Sequence, residues 1–192
     1  MTQDATQKTK DNASVFNSLF PVNRPPSSVI RHLIFWPIFI GGLVLDLWSK
    51  SAVFNWLESS GRQSYTVIEG FLRLQLTVNP GAAFGIAAGR KWMLVAVSIG
   101  ALIAIAGFLF SRVERKIVHV ALGLLAAGVC GNLYDRLFNN GLVRDFIDVF
   151  WRDKHWPAFN VADSMLCIAV GLLILSSFVT GQSSQIHARP QK

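Results

Sequence analysis

Four runs of this sequence are long and apolar enough to cross a membrane as helices, and that leaves few folds open. They are "HLIFWPIFIGGLVLDLWSK" (32–50), "WMLVAVSIGALIAIAGFLF" (92–110), "IVHVALGLLAAGVCGNLYD" (117–135) and "AFNVADSMLCIAVGLLILSSFVT" (158–180). Each reaches about 19 residues or more, the length a helix rising 1.5 Å per residue needs to span the hydrocarbon core. The first run follows a basic flank and has the outline of a signal peptide. It lacks a small-x-small cleavage site, so an uncleaved span is expected.

The chain is 52% hydrophobic, a fraction that soluble domains also approach, so the blocks decide the class and not the average. Four spans put both ends of the chain and the short loop "SRVERK" on one side. That side carries nine Lys/Arg against seven in the loops opposite, leaving out Lys50 and Arg136 at helix ends. The positive-inside rule then places both termini in the cytoplasm. Residues 1–31 are a polar tail without a core of its own, and 181–192 a second cytoplasmic tail. The net charge of +7 is scattered over tails and loops with no basic stripe interleaved with aromatics, so no nucleic-acid partner is expected. Cys130 and Cys167 both lie inside apolar runs and read as small core residues rather than a disulfide or metal site.

Two longer segments face the other side. In "FLRLQLTVN", Leu72, Leu74, Leu76 and Val78 alternate with Arg73, Gln75, Thr77 and Asn79, the period of a half-buried strand. "NPGAAFG" then breaks it with turn residues. A small sheet of two to four strands, at about 62–88, is expected on the outer membrane face. The second segment, 136–157, mixes Trp151 and Trp156 with charge, as interfacial segments do, and reads as a loop. The fold class is therefore an all-α polytopic membrane protein: four transmembrane helices (domain 32–180), with a small β-sheet subdomain and an apolar loop on the outer, non-cytoplasmic face, which the resemblance given below makes the periplasmic face.

The acids gather at that face. Asp46 and Lys50 close the first span at i, i+4 spacing; Asn132, Asp135 and Arg136 close the third; Asn160 and Asp163 open the fourth; Asp145 and Asp148 lie in "VRDFIDVF" between them. Each has an ordinary explanation. Asp163 favours the positive end of its helix, Asp46–Lys50 and Asp135–Arg136 make interfacial ion pairs, and Asp148 is solvated. Their convergence is harder to explain that way, because ionisable residues within membrane helices are rare and usually functional. No serine–histidine pair, metal-spaced His/Cys cluster or phosphate-cradling glycine loop is present, and of four histidines only His155 is on this side. Paired aspartates remain. Two carboxylates held close share a proton, so one can deprotonate water while the other polarises a carbonyl.

Five blocks in order, "DLWSK" (46–50), "NPGAAFG" (79–85), "GNLYDR" (131–136), "VRDFID" (143–148) and "FNVADS" (159–164), resemble those of the lipoprotein signal peptidase family, signal peptidase II, over most of residues 40–180. The resemblance implies a bacterial inner-membrane aspartic endopeptidase that removes the signal peptide from diacylglyceryl-modified prolipoproteins by cutting before the lipidated cysteine. It implies a catalytic pair at Asp145 and Asp163, with Asp46, Lys50, Asn79, Gly81, Asn132, Asp135, Arg136, Asn160 and Ala162 binding or supporting. Spacing alone does not choose Asp145 over Asp135 as the partner of Asp163; the choice comes with the resemblance, together with the Arg136 adjacent to Asp135. No cofactor and no metal are expected, since water and two carboxylates suffice. The expected partners are prolipoprotein and membrane lipid, and the expected state is a monomer. The sheet and the apolar loop are expected to cover the site and hold the signal peptide. Two departures from the family's pattern stand out: the tail of about 30 residues before the first span, and "GVCGN" where "GALGN" is commoner. The rival reading is a non-enzymatic four-helix transporter or assembly subunit with Asp163 on a proton path. Such a relay would spread acids through the membrane depth, and the middles of the last three spans carry none.

Overall fold

The computed structural model describes residues 27–82, 86–110 and 115–186. Residues 1–26 and 187–192 of the two tails, 111–114 of the "SRVERK" loop and 83–85 of "NPGAAFG" lie outside the described residues. The chain divides into two units, Met1–Ile30 and Arg31–Lys192. Of the first, only residues 27–30, the opening of a helix, are described.

Among the described residues four helices form, α1 (Ser27–Ser59), α2 (Lys91–Phe110), α3 (Lys116–Phe138) and α4 (Val161–Ile186), together with strands β1 (Ser64–Ile68), β2 (Leu72–Asn79), β3 (Val143–Trp151) and β4 (Lys154–His155). All four helices are long and apolar enough to cross a membrane. Their outer faces carry Leu33, Ile40, Val44, Val97, Ile103, Phe108 and Ile174 exposed, side chains that water would penalise and lipid tails do not. Helix α3 is central: half of its apolar window is buried, against 17%, 28% and 22% in α1, α2 and α4. Phe35, Ile105, Leu109, Leu122 and Ala126 form one core cluster, and Ala127, Ala162 and Met165 a second.

Lipid gives helices little hydrophobic reason to associate, so close backbone approach through small residues takes over. Gly128 shows this: a Cβ there would sit 2.7 Å from the Ala162 carbonyl oxygen of α4. One turn on, a Cβ at Gly131 would run into the Asp46 carboxylate. These two glycines let α1, α3 and α4 meet where the acids are. Cys130 is half-buried beside them, whereas Cys167 is on the exposed outside of α4 and not in the core as expected; both are free.

The strands form one antiparallel array in the order β1-β2-β3-β4. The segment expected as an apolar loop, 136–157, therefore holds two of the four strands. Its central strand was hidden because β3 is covered on both sides: Val143, Asp145, Phe146 and Asp148 are all buried, so the alternation that marks a half-buried strand is absent. Left-handed Asn140 and Gly141 (φ 52° and 91°) turn the chain from α3 into β3. β2 also departs from expectation. Its register slips between Leu74 and Thr77, where β2 carries one residue more than β3, and its side chains do not divide into a buried and a solvated face.

Candidate active site

Helix α4 begins at Val161, so Asp163 lies in its first turn. Asn160 caps the helix: the Asp163 N–H donates to Asn160 Oδ1 (3.0 Å), and the Asn160 N–H donates back to Asp163 Oδ2 (3.2 Å), a reciprocal capping box. The Ala162 N–H, another donor left over at the helix start, goes to Asp46 Oδ1 at 2.8 Å. The favourable helix-end position read for Asp163 is thus real. It does not exhaust the role of the residue, because other elements converge on the same turn.

From α3, Asn132 Nδ2 donates to Asp163 Oδ1 at 2.9 Å. Asn132 Oδ1 is in turn held by Lys50 Nζ of α1 (3.1 Å) and Asn160 Nδ2 (3.1 Å). From β3, Asp145 Oδ1 accepts from Asn160 Nδ2 at 2.7 Å. Asn160 therefore touches both Asp145 and Asp163, bringing the two carboxylates to a single residue. Asp145 is buried, whereas Asp163 keeps part of its surface open. Burial first, and then the neighbouring Asp163 charge, push the Asp145 carboxyl up to about 7, against the opposing pull of Asn79, Asn160 and Lys50. A carboxyl that holds its proton up to near neutral pH beside a second carboxyl is an ingredient for concerted proton transfer.

Lys50 is fully buried and makes the i, i+4 pair with Asp46 at 2.8 Å, with Asp135 Oδ2 at 3.5 Å. The expected Asp135–Arg136 pair does not form. Adjacent helical residues point about 100° apart and cannot face each other. Asp135 is gripped instead by Arg144 of β3, through Nη2 to Oδ1 at 2.7 Å and the backbone N–H to Oδ2 at 2.9 Å. Arg136 turns the other way, donating from Nη2 to the Gly81 carbonyl at 3.1 Å, and its charge acts on Asp163 and Asp145. Gly81 follows Asn79, whose Oδ1 accepts the Gly81 N–H at 2.8 Å and so shapes the turn. The two acids that spacing left open have different surroundings. Asp135 is committed to two cations, while Asp145 is met by amides and by Asp163.

All eleven residues singled out in the sequence stand at the end of the bundle where the sheet lies. Arg144 and Asp148 were missed in a structural role. Arg144 sits inside an apolar strand, nine residues from Asp135 across a helix-to-strand turn, a separation no periodicity detects. Asp148, read as solvated, is buried, with Arg73 Nε of β2 and His155 Nδ1 of β4 (3.1 Å) on it. A half-open cavity of about 290 Å³ is lined by Asp135 and Arg144 and by neither Asp145 nor Asp163. Among the described residues, no group of three or more His, Cys, Asp and Glu side chains is placed to hold a metal ion.

The family model described as signal peptidase (SPase) II matches residues 38–179. A lipoprotein signal peptidase of Rhodopirellula baltica is 38% identical over 175 residues, covering 83% of this chain and 74% of that protein. One from Geobacter metallireducens is 40% identical over 149 residues, covering 76% and 90%. Among solved structures, a bacterial membrane enzyme determined by the in meso method at 2.3 Å superposes with a TM-score of 0.66 at 32% identity, over 81% of this chain and 92% of that one.

Proposed function

This chain belongs to the signal peptidase II family of membrane aspartic peptidases, and from that premise we propose that Asp145 and Asp163 are the pair with which it removes signal peptides from diacylglyceryl prolipoproteins. The observation that carries the assignment is the shared Asn160, whose side-chain amide holds Asp145 and whose backbone N–H holds Asp163. With the proton on Asp145, Asp163 takes a proton from water as its oxygen adds to the scissile carbonyl carbon, and Asp145 protonates the carbonyl oxygen. The resulting diol returns that proton to Asp145 as the C–N bond breaks, and Asp163 delivers its proton to the departing cysteine amine. Water is consumed, both carboxyls return to their starting state, and no cofactor enters.

Asp46, Lys50, Asn132, Asp135, Asn160 and Ala162 hold the two acids. Asn79, Gly81 and Arg136 join the turn after β2 to the pair and are placed to bind the peptide. The site stands at one end of a multi-pass bundle, where a diacylglyceryl-cysteine would present its scissile bond with its acyl chains still in the membrane. Given the Lys/Arg distribution, that end is the periplasmic face of the bacterial inner membrane, with both termini in the cytoplasm. The sheet and the apolar loop would cover the site and hold the signal peptide; substrate that never cross-links to 65–85 would remove that role. A proton path through the bundle finds no support, because among the described residues Asp46, Asp135 and Asp163 of the helices stand at one end.

The test is cleavage of a purified diacylglyceryl prolipoprotein in detergent. The wild type is expected to cut, and Asp145→Asn and Asp163→Asn, equally well folded, to lose about 10³-fold or more. Cutting by Asp145→Asn, with none by Asp135→Asn, would make Asp135 the partner of Asp163.

A further inference from the structure

We propose that Arg144 is a positioning residue for the peptidase reaction, setting Asp145 against Asp163 through its two-pronged hold on Asp135. The proposal rests on the catalytic pair proposed above. Arg144 directly precedes Asp145 in β3, so whatever fixes its backbone also fixes the origin of the Asp145 side chain. The contacts that do so include the backbone N–H to Asp135 Oδ2 (2.9 Å), Nη2 to Asp135 Oδ1 (2.7 Å), Nε to Asp135 Oδ1 (3.2 Å), Nη1 to Ser51 Oγ of α1 (3.3 Å), and Asn160 Nδ2, which donates to the Arg144 carbonyl (3.4 Å).

The same Asp135 also leads to the other acid. Its Oδ2 meets Lys50 Nζ at 3.5 Å; Lys50 donates to Asn132 Oδ1 at 3.1 Å; and Asn132 Nδ2 donates to Asp163 Oδ1 at 2.9 Å. Arg144 is thus one residue from Asp145 along the chain and a string of three side chains from Asp163. A planar guanidinium with donors in a fixed fork defines the angle as well as the distance of a carboxylate, which a single ammonium does not. Without the fork, Asp135 keeps only the Arg144 backbone N–H and turns towards Lys50, and of the ties between β3 and the helix end that carries Asp163 the one through Asp135 is loosened while those through Asn160 remain. Misplacement by about 1 Å is enough to cost about a hundredfold in rate.

The half-open cavity supplies an independent test. It lies between Leu47 and Ser51 of α1 and Tyr134 and Phe138 of α3, with Asp135 and Arg144 in its wall, and the Arg144 side chain is 18% exposed. A small cation in solution can therefore reach Asp135 once the Arg144 side chain is cut back.

Kinetics on the full chain in detergent, with diacylglyceryl prolipoprotein as substrate, would compare wild type, Arg144→Ala, Arg144→Lys and Asp145→Asn. For Arg144→Ala, kcat is expected to fall by about 10- to 100-fold with KM changed less than about twofold. Ethylguanidinium chloride should restore at least about tenfold of that loss, where the same concentration of ethylammonium does not, and should leave wild type and Asp145→Asn unchanged. Arg144→Lys keeps the charge but not the fork, and is expected to stay folded with kcat lowered. Full kcat in either Arg144 variant, or a loss that ethylammonium restores equally, would overturn the positioning role. So would a loss expressed in KM alone. A wild type that leaves the substrate whole, or an active Asp145→Asn, would instead strike the catalytic pair itself, and the proposal would go with it.

Discussion

Replacing Asp145 with asparagine should stabilise the protein while silencing it, and the gain should grow with pH. Asp145 is 2% exposed, and its carboxyl titrates near 7 rather than at the ordinary 3.8. Below 3.8 it is protonated in both folded and unfolded chains and makes no difference. Above 3.8 the unfolded chain releases the proton while the folded chain keeps it, so the folded state binds more protons and stability falls as pH rises. The fall ends near 7, where the folded chain releases its proton too. At about 1.4 kcal/mol per pH unit, the whole window is worth up to about 4 kcal/mol. The amide in the Asp145→Asn variant would have no proton to lose, and its oxygen could still accept from Asn160 Nδ2. Denaturation of both proteins in the same detergent, from about pH 4 to pH 8.5, measures this, and the difference between the two curves cancels the other titrating groups. The variant should match wild type near pH 4 and exceed it increasingly up to about pH 7. Parallel curves, or a variant that loses stability as pH rises, would refute the reasoning.

Gly131→Ala puts a methyl group on the Asp46 carboxylate and should cost about 1–3 kcal/mol and most of the activity, by denaturation and cleavage together. Asn160→Ala removes the helix cap and the shared support of both acids, so a stability loss of about 0.5–2 kcal/mol should accompany a far larger fall in kcat than in substrate affinity. Asp148→Ala strands Arg73 beside a buried site and releases His155, with an expected loss of about 1–3 kcal/mol and hydrogen exchange rising first in β2 and β4.

The four helices were legible because nothing but a membrane span explains runs of that length, and the acids were legible because five short blocks fell in order around them. What the residues alone did not yield was three-dimensional pairing. β3 looked like a loop because burial on both sides erased its alternation. Asp135 and Arg136 looked like partners because they are neighbours in the chain, although a helix turns them apart, and the cation that Asp135 holds came from a strand nine residues on. Asp148 looked solvated because its partners, Arg73 and His155, sit on different strands. Small residues at 128 and 131 gave no local hint that three helices meet there; only the atoms a side chain would strike reveal it.

The central claim is that Asp145 and Asp163 act as one catalytic unit. The most direct measurement is the cleavage rate of Asp145→Asn, Asp163→Asn and the double variant on diacylglyceryl prolipoprotein under one condition. If the two acids share one proton and one reaction, either single change removes the unit, lowering kcat by about 10³-fold or more, and the double variant falls less than about tenfold further. Losses that multiply in the double variant, or a single variant that keeps most of its rate, would contradict it.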